Sequence, residues 1–494
     1  MRNFNYDGRG FLTAEKHPEN GTTSYRYDVL GNVIQKSTPT GSVFSSYDAA
    51  GRLRKVSTVG NTLFREFIYG TPNNDNGKLV TARAYNWRST GACTFYEVQQ
   101  DFRYDPNHGR LASEDTTLLQ GTTVLQKWTQ SYVYDGAGRI VQTNNPNCVA
   151  NCASAGRTVT TNYAFGRPTS IPGFASSITY NDNGMLATIT HANNVLFTET
   201  PDPSGIARPR SLSVAGASSL WQSETYAYDG AGNIKQIGSK QYTYDAASRI
   251  TSATVPSAAP MAQFGSAPYQ EFTYDLFGNL TRIARGTQNG SILTYVDYLA
   301  DPASNHLQGA SYDASGSLTA YQGSAYTWDV LQQAMTVNTG SESWVHVYDA
   351  AGERVWSWRT SPSRIDNYAL RGRDGRVLRF FSNNGSILTV EDYVYREGQL
   401  VGAVVPDGTT HHFDVDHLGS VRLETAATPP VYREFWPYGE EATAPGGSER
   451  MKFLAGQERD LGNLTSTADD IDYMNARYYL PIYGRFLSVD TLQR

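Results

Sequence analysis

Apolar and polar positions alternate with a period of two along most of the chain, as in Ser131-Tyr132-Val133-Tyr134 and Gln241-Tyr242-Thr243-Tyr244. That period puts Tyr132 and Tyr134 on one face of a strand. Each such run ends in a recurring unit. It reads Tyr27-Asp28-Val29-Leu30-Gly31-Asn32-Val33, Tyr47-Asp48-Ala49-Ala50-Gly51-Arg52-Leu53 and Tyr134-Asp135-Gly136-Ala137-Gly138-Arg139-Ile140. It returns at Tyr228-Asp229 and Tyr274-Asp275, with looser copies at Tyr104, Tyr180, Tyr244, Tyr312, Trp328 and Tyr348. The Asp carboxylate starts a turn by accepting backbone N–H groups two or three residues on. The Gly three positions after it supplies the positive φ that closes a hairpin. The apolar residue two further on opens the return strand.

The first copies, at Tyr6, Tyr27, Tyr47 and Tyr69, fall about twenty residues apart, the length of two strands and two turns. A lone hairpin is not stable, so the pattern predicts hairpins paired edge to edge into one continuous, coiling sheet. Wider later intervals predict inserted loops or extra strands. The fold class is all-β with little helix; only residues 466–475 are expected to carry a short helical turn. The Tyr rows are expected to be structural, with rings laddered across strands and hydroxyls on water or backbone carbonyls.

Composition narrows the function. The chain has 494 residues, too many for one ordinary core, and 33 Tyr and 45 Gly suit pleated hairpins. A net charge of -6 gives no field for phosphate backbones, so no nucleic-acid partner is expected. The longest apolar stretch, around Leu400 to Pro406, is too short to span a bilayer, and the opening Met1-Arg2-Asn3-Phe4 lacks a signal-peptide core. The chain starts inside a repeat, which predicts a fragment or an array without a cap. Three Cys exclude a disulfide scaffold. Cys148 and Cys152 bracket a loop that closes a local bridge or holds half of a metal site, and Cys93 reads as a buried apolar residue. No cofactor or metal is expected.

The repeats and the C-terminal motifs resemble the YD-repeat family: bacterial RHS proteins, the C components of insecticidal toxin complexes, and the teneurin shell. Residues 1–390 resemble the repeat shell and residues 391–494 the RHS-associated core. Asp416-His417-Leu418-Gly419-Ser420-Val421-Arg422 matches DHLGSVR, and Phe435-Trp436-Pro437-Tyr438-Gly439 is similar to YDPFG. Phe453 to Asp460, with Arg459 and Asp460, resembles FTGKERD. Ala476-Arg477-Tyr478-Tyr479-Leu480-Pro481 and Gly484-Arg485-Phe486-Leu487-Ser488-Val489-Asp490 follow ARYYDP and GRFLSxD. The resemblance implies a hollow β shell around a toxin cargo, with the core plugging one end. It also implies an aspartyl autoprotease in relatives that process themselves, built on Asp490, a second Asp some two dozen residues later, and Arg477. Two close carboxylates share one proton and activate water; one alone does not. The chain stops at Arg494, with Thr491 and Leu480 where the family has Pro and Asp, so no self-cleavage is expected.

His411-His412-Phe413-Asp414-Val415-Asp416-His417 places His412, Asp414 and Asp416 on one strand face; a solvated face is the expectation over a ligand cluster. Asp469-Asp470-Ile471-Asp472 reads as a polar loop or helix N-cap before Tyr473. No glycosidase pair, phosphate loop or nucleophile elbow can be named. The leading reading is a non-enzymatic shell that encloses or presents a toxin encoded C-terminally or separately, partnered by that cargo or by an N-terminal shell half. It would act secreted, at a surface, or delivered by a secretion system. Alternatives are a glycan-binding adhesion module and a remnant autoprotease.

Overall fold

The computed structural model describes all residues except 1, 72–74, 89–94, 151–155, 256–266, 289, 386–387, 427–428, 444–453, 461–469, 476 and 491–494. Among the described residues there are antiparallel strands, three single 3₁₀ turns and no α-helix. The residues expected to turn helically divide differently: Ile471–Met474 is a strand, and 466–469 lie outside the described residues.

The repeat unit folds as a turn with a bulge. In the hairpin at Asp28, one carboxylate oxygen accepts the N–H groups of Leu30 and Asn32, two and four residues on rather than two and three. The Gly31 N–H bonds the Asp28 carbonyl, Gly31 stands at φ 91°, and the pairing register shifts at Tyr27. A three-residue loop closed by a left-handed residue and a bulge explains the offset. Ser248 and Gln332 take the same positive φ where the loose copies lack Gly.

Successive repeats are tied by the Tyr side chain. Hydroxyls of Tyr27, Tyr47, Tyr69, Tyr104 and Tyr134 donate to carbonyls of the preceding hairpin, at Leu12, Val33, Leu53, Leu79 and Leu111, over 2.7–3.0 Å. The Arg that follows the left-handed turn residue covers the ring of a following repeat: Arg52 on Tyr69 at 4.3 Å, Arg139 on Tyr163 at 4.9 Å, Arg249 on Tyr274 at 4.7 Å. These repeats are thus tied to their successors through one hydrogen bond and, where Arg follows the turn, one cation–π contact.

Among the described residues the strands form six sheets rather than one: thirteen strands over residues 3–160, then two, five and seven, thirteen again over 311–432, and four over 458–486. Left-handed residues stand at breaks between the sheets, among them Gly173 at φ 84° and Glu224 at φ 61°. The second large sheet runs through residue 390 without interruption.

The whole array winds on itself. Contacts join Thr40 to Ser315, Asn86 to Tyr348, Asn145 to Asp392, His191 to Asp414, Tyr226 to His417 and Arg285 to Glu440, with separations falling from 275 to 155 residues. Residues 40 to 285 of a first winding are therefore matched by residues 315 to 440 of a second, about half as much chain. The spiral tightens. The His306 ring, 2.6 Å from the Glu19 carbonyl, ties the end of the first winding to its beginning.

The two largest apolar clusters lie between windings. Ala84, Val98, Leu118 and Trp128 of the first pack on Val347, Trp356, Leu370 and Phe381 of the second. Ile178, Phe197 and Val214 pack on Val394, Val401 and Leu423. The four-stranded sheet sits against Leu318, Tyr326 and Tyr348 through Ile471, Tyr473 and Tyr478. The accessible surface is 22576 Å², about a quarter above the roughly 18,000 Å² of a compact monomer of this mass. Among the described residues no helix is long and apolar enough to cross a membrane.

Candidate functional site: the wound C-terminal end

The family-motif residues gather where the spiral closes. Asp416 starts a turn of the repeat type, accepting the N–H groups of Leu418 and Ser420 at 2.9 and 3.0 Å, with Gly419 at φ 84°. His417 Nδ1 lies 3.1 Å from the Tyr226 hydroxyl of the first winding. Arg422 pairs with Glu434 and lies 3.7 Å from Asp416, and Glu434 accepts from Lys240 at 2.6 Å. These residues, with Trp221, Tyr242 and Trp436, line a cavity of about 430 Å³.

The last sheet is held by buried charge. Arg459 donates to both oxygens of Asp472 at 2.6 and 3.0 Å and to the Gly439 carbonyl at 2.9 Å, and neither side chain is exposed. Asp472, read as part of a polar loop, is thus a fully buried strand residue, because its strand pairs with Glu458–Asp460 and is covered by the wall. Arg354 of the wall reaches Glu458 and Asp460, and Arg371 reaches Glu458 at 3.0 Å. Burial opposes the Arg354 charge, but Asp460 and Glu458 outweigh it and hold its pKa well above the usual value. Paired buried charges of this kind position rather than react. The Tyr478 hydroxyl lies 3.3 Å from that of Tyr348, Tyr479 donates to the Tyr438 carbonyl at 2.9 Å, and Arg485, after left-handed Gly484, donates to Asn279 at 3.0 Å.

Arg477 and Asp490 come together, 3.6 Å apart, with the Arg477 guanidinium stacked 3.7 Å over Phe486. Asp490 lines a cavity of about 790 Å³ walled by first-winding residues, among them Leu12, Glu15, Tyr25 and Lys36. Glu15 there binds the Tyr25 hydroxyl at 2.7 Å, and Glu19 pairs with Arg2 at 2.6 Å.

The His411–His417 run departs from its expected solvated face. His412 and Asp414 are buried against His191 of the first winding, while Asp416 leaves the strand to begin the turn. Alternation showed that His412 and Asp414 share a face; it could not show that another winding covers it. His191 was not singled out in the sequence, nor was Glu114. The latter is a buried carboxylate bonded by the amides of Gln100 and Gln130 at 3.0 and 3.1 Å, and burial pushes it up to about 7. Among the described residues no group of three or more His, Cys, Asp or Glu is placed to hold a metal ion. Cys148 is in a disulfide; Cys93 and Cys152 lie outside the described residues.

Hairpin repeats wound into a tightening β spiral, with a motif-rich sheet locked into its C-terminal end, define a YD-type shell protein. The chain belongs to the teneurin YD-shell family, whose model matches residues 47–440, and an RHS repeat model matches residues 6–43. It is 23% identical over 393 residues to the toxin subunit YenC1 of Yersinia entomophaga, covering 64% of this chain and 39% of that protein. It is 26% identical over 329 residues to the double-stranded DNA deaminase toxin A of Burkholderia cenocepacia, covering 56% and 21%. A crystal structure of TcdB2-TccC3-TEV superposes with a TM-score of 0.79 at 18% identity, covering 99% of this chain and 27% of that one. The chain therefore spans well under half the length of each of these proteins, and the structural likeness establishes the fold.

Proposed function

We propose that this chain is a non-enzymatic wall and end plug of a toxin-enclosing shell. Residues 1–390 supply wall, and residues 391–494 carry the motifs that close one end. The cargo, C-terminal or separately encoded, lies within, and an N-terminal shell half completes the enclosure. The complex acts outside the producing cell or inside one to which it is delivered. The observation that supports this reading is that Asp490, in the last family motif, lines a concavity walled by the first strands of the chain. The excess surface area supports an open interior.

The test places one flexible tag with a protease site either after Arg494 or before Met1. Cleavage should be several-fold slower at the C-terminal tag; equal rates contradict an inward-facing end.

Asp490 and Arg477, 3.6 Å apart, act here as a structural ion pair. Purified protein should remain one species, and an Asp490-dependent cleavage product would contradict this. The aromatic cavity at Trp221, Tyr242 and Trp436 favours glycan adhesion as a second reading. A silent glycan array removes it.

A further inference from the structure

The two windings approach closely beside Phe174, where a Cβ on Gly402 would lie 2.6 Å from the phenyl ring. Only glycine allows this seat. Next to it His191 ends the strand Leu186–His191 of the first winding, and His412 and Asp414 are alternate residues of the second-winding strand Thr410–Val415. His191 Nε2 is 2.8 Å from Asp414 Oδ1, and the two imidazole centroids are 5.1 Å apart. All three side chains are buried. His191 Nδ1, His412 Nδ1 and Asp414 Oδ2 have no hydrogen-bond partner. Asn193 donates to Thr425 across the same join at 3.0 Å.

Charge balance decides how such a seam responds to protons. Facing it are two imidazoles and one carboxylate, with the Phe174 carbonyl beside His412. On the opposite face of the strand, His411 and Glu424 are already paired with each other. Two imidazoles face one carboxylate there, and that carboxylate is bonded to His191, so a proton on His412 makes a buried positive charge without a counter-ion.

We propose that this seam is an acid-sensitive latch: protonation of the second imidazole parts the first winding from the second around Phe174 and Gly402 while the hairpin pairing on either side persists. Burial first, then His191, holds His412 down at about 4, against 6.5 when the seam is open. The open state binds more protons than the closed one below pH 6.5, so closure weakens as pH falls from about 6.5 to about 4. Release of contents through the opening rests on the shell reading; the opening itself does not.

Hydrogen–deuterium exchange on the full chain at pH 7.5 and pH 5, corrected for intrinsic exchange rates, tests this. Protection of residues 186–197 and 410–425 should fall roughly thirty-fold at pH 5, the ratio set by pKa values of 6.5 and about 4. Protection of residues 111–134 should hold. His412→Gln removes the imidazole that titrates and should abolish the loss, whereas His191→Gln leaves the burial of His412 in place and should only reduce it. Unchanged wild-type protection at pH 5 overturns the latch, as does a full response that survives in His412→Gln. A compact scattering profile would remove the shell and leave the latch, whereas unchanged exchange would remove the latch and leave the shell.

Discussion

The first and second windings use one hairpin instruction in two environments. In the first, strands such as Val33–Thr38 and Leu53–Thr58 are half solvated, and turn tips such as Val29-Leu30 and Leu276-Phe277 stand in water. In the second, Gln399–Val404 and Val421–Thr425 are buried on both faces. The Asp turn, the left-handed residue and the Tyr hydroxyl bond recur unchanged, at Tyr348 to Ala334 as at Tyr134 to Leu111. What differs is the fate of charge. Arg52, Arg139 and Arg249 of the first winding lie part-exposed on Tyr rings, whereas Arg354, Arg371 and Arg379 of the second and Arg459 of the last sheet enter buried ion pairs. Local structure is therefore written in the repeat, and closure in the charges that burial forces into pairs.

The largest expected effect comes from breaking such a pair. Arg459→Met leaves Asp472 alone in the interior and should cost about 3–5 kcal/mol in denaturant unfolding. Adding Asp472→Leu should recover most of it. An equally large loss in the double variant would mean that packing, not charge, holds the last sheet.

Glu114 sharpens the comparison from the other side, as a buried first-winding acid without a cation partner. Its folded pKa of about 7 lies above the ordinary 4.5, so it stabilises the fold when neutral, and that contribution is lost as pH rises through 7. Glu114→Gln should add about 1–3 kcal/mol at pH 8 and little at pH 5. A gain independent of pH would contradict the assignment.

Smaller still is the loss of a hydroxyl. Tyr134→Phe should cost about 1 kcal/mol, and Tyr348→Phe about 1–3 kcal/mol, since its partners are inside. Equal values would show that the two environments do not differ at the repeat itself.

Much of this was legible in sequence because it is local. The hairpins, their turn residues and the all-β class follow from period-two alternation ending in Asp and Gly. The Arg-on-Tyr contacts carried a readable signal, an Arg four residues after the turn Asp with a Tyr some seventeen to twenty-five residues on, yet the Tyr rows were read without it. The breaks between sheets at Pro172-Gly173 and Glu224 were not expected from a repeat taken as continuous. The seam was out of reach: His191 and Asp414 are 223 residues apart, and no local pattern reports which face of a strand another winding will cover. Asp472 misled for the same reason, since an acidic run looks solvated until Arg459 is brought to it.

Small-angle X-ray scattering of the purified chain at neutral pH tests the shell most directly. A solid globule of this length has a radius of gyration of roughly 23 Å. The account predicts a clearly larger value and a pair-distance maximum displaced outward, as mass on a wall requires; a value at 23 Å with a compact profile would contradict it.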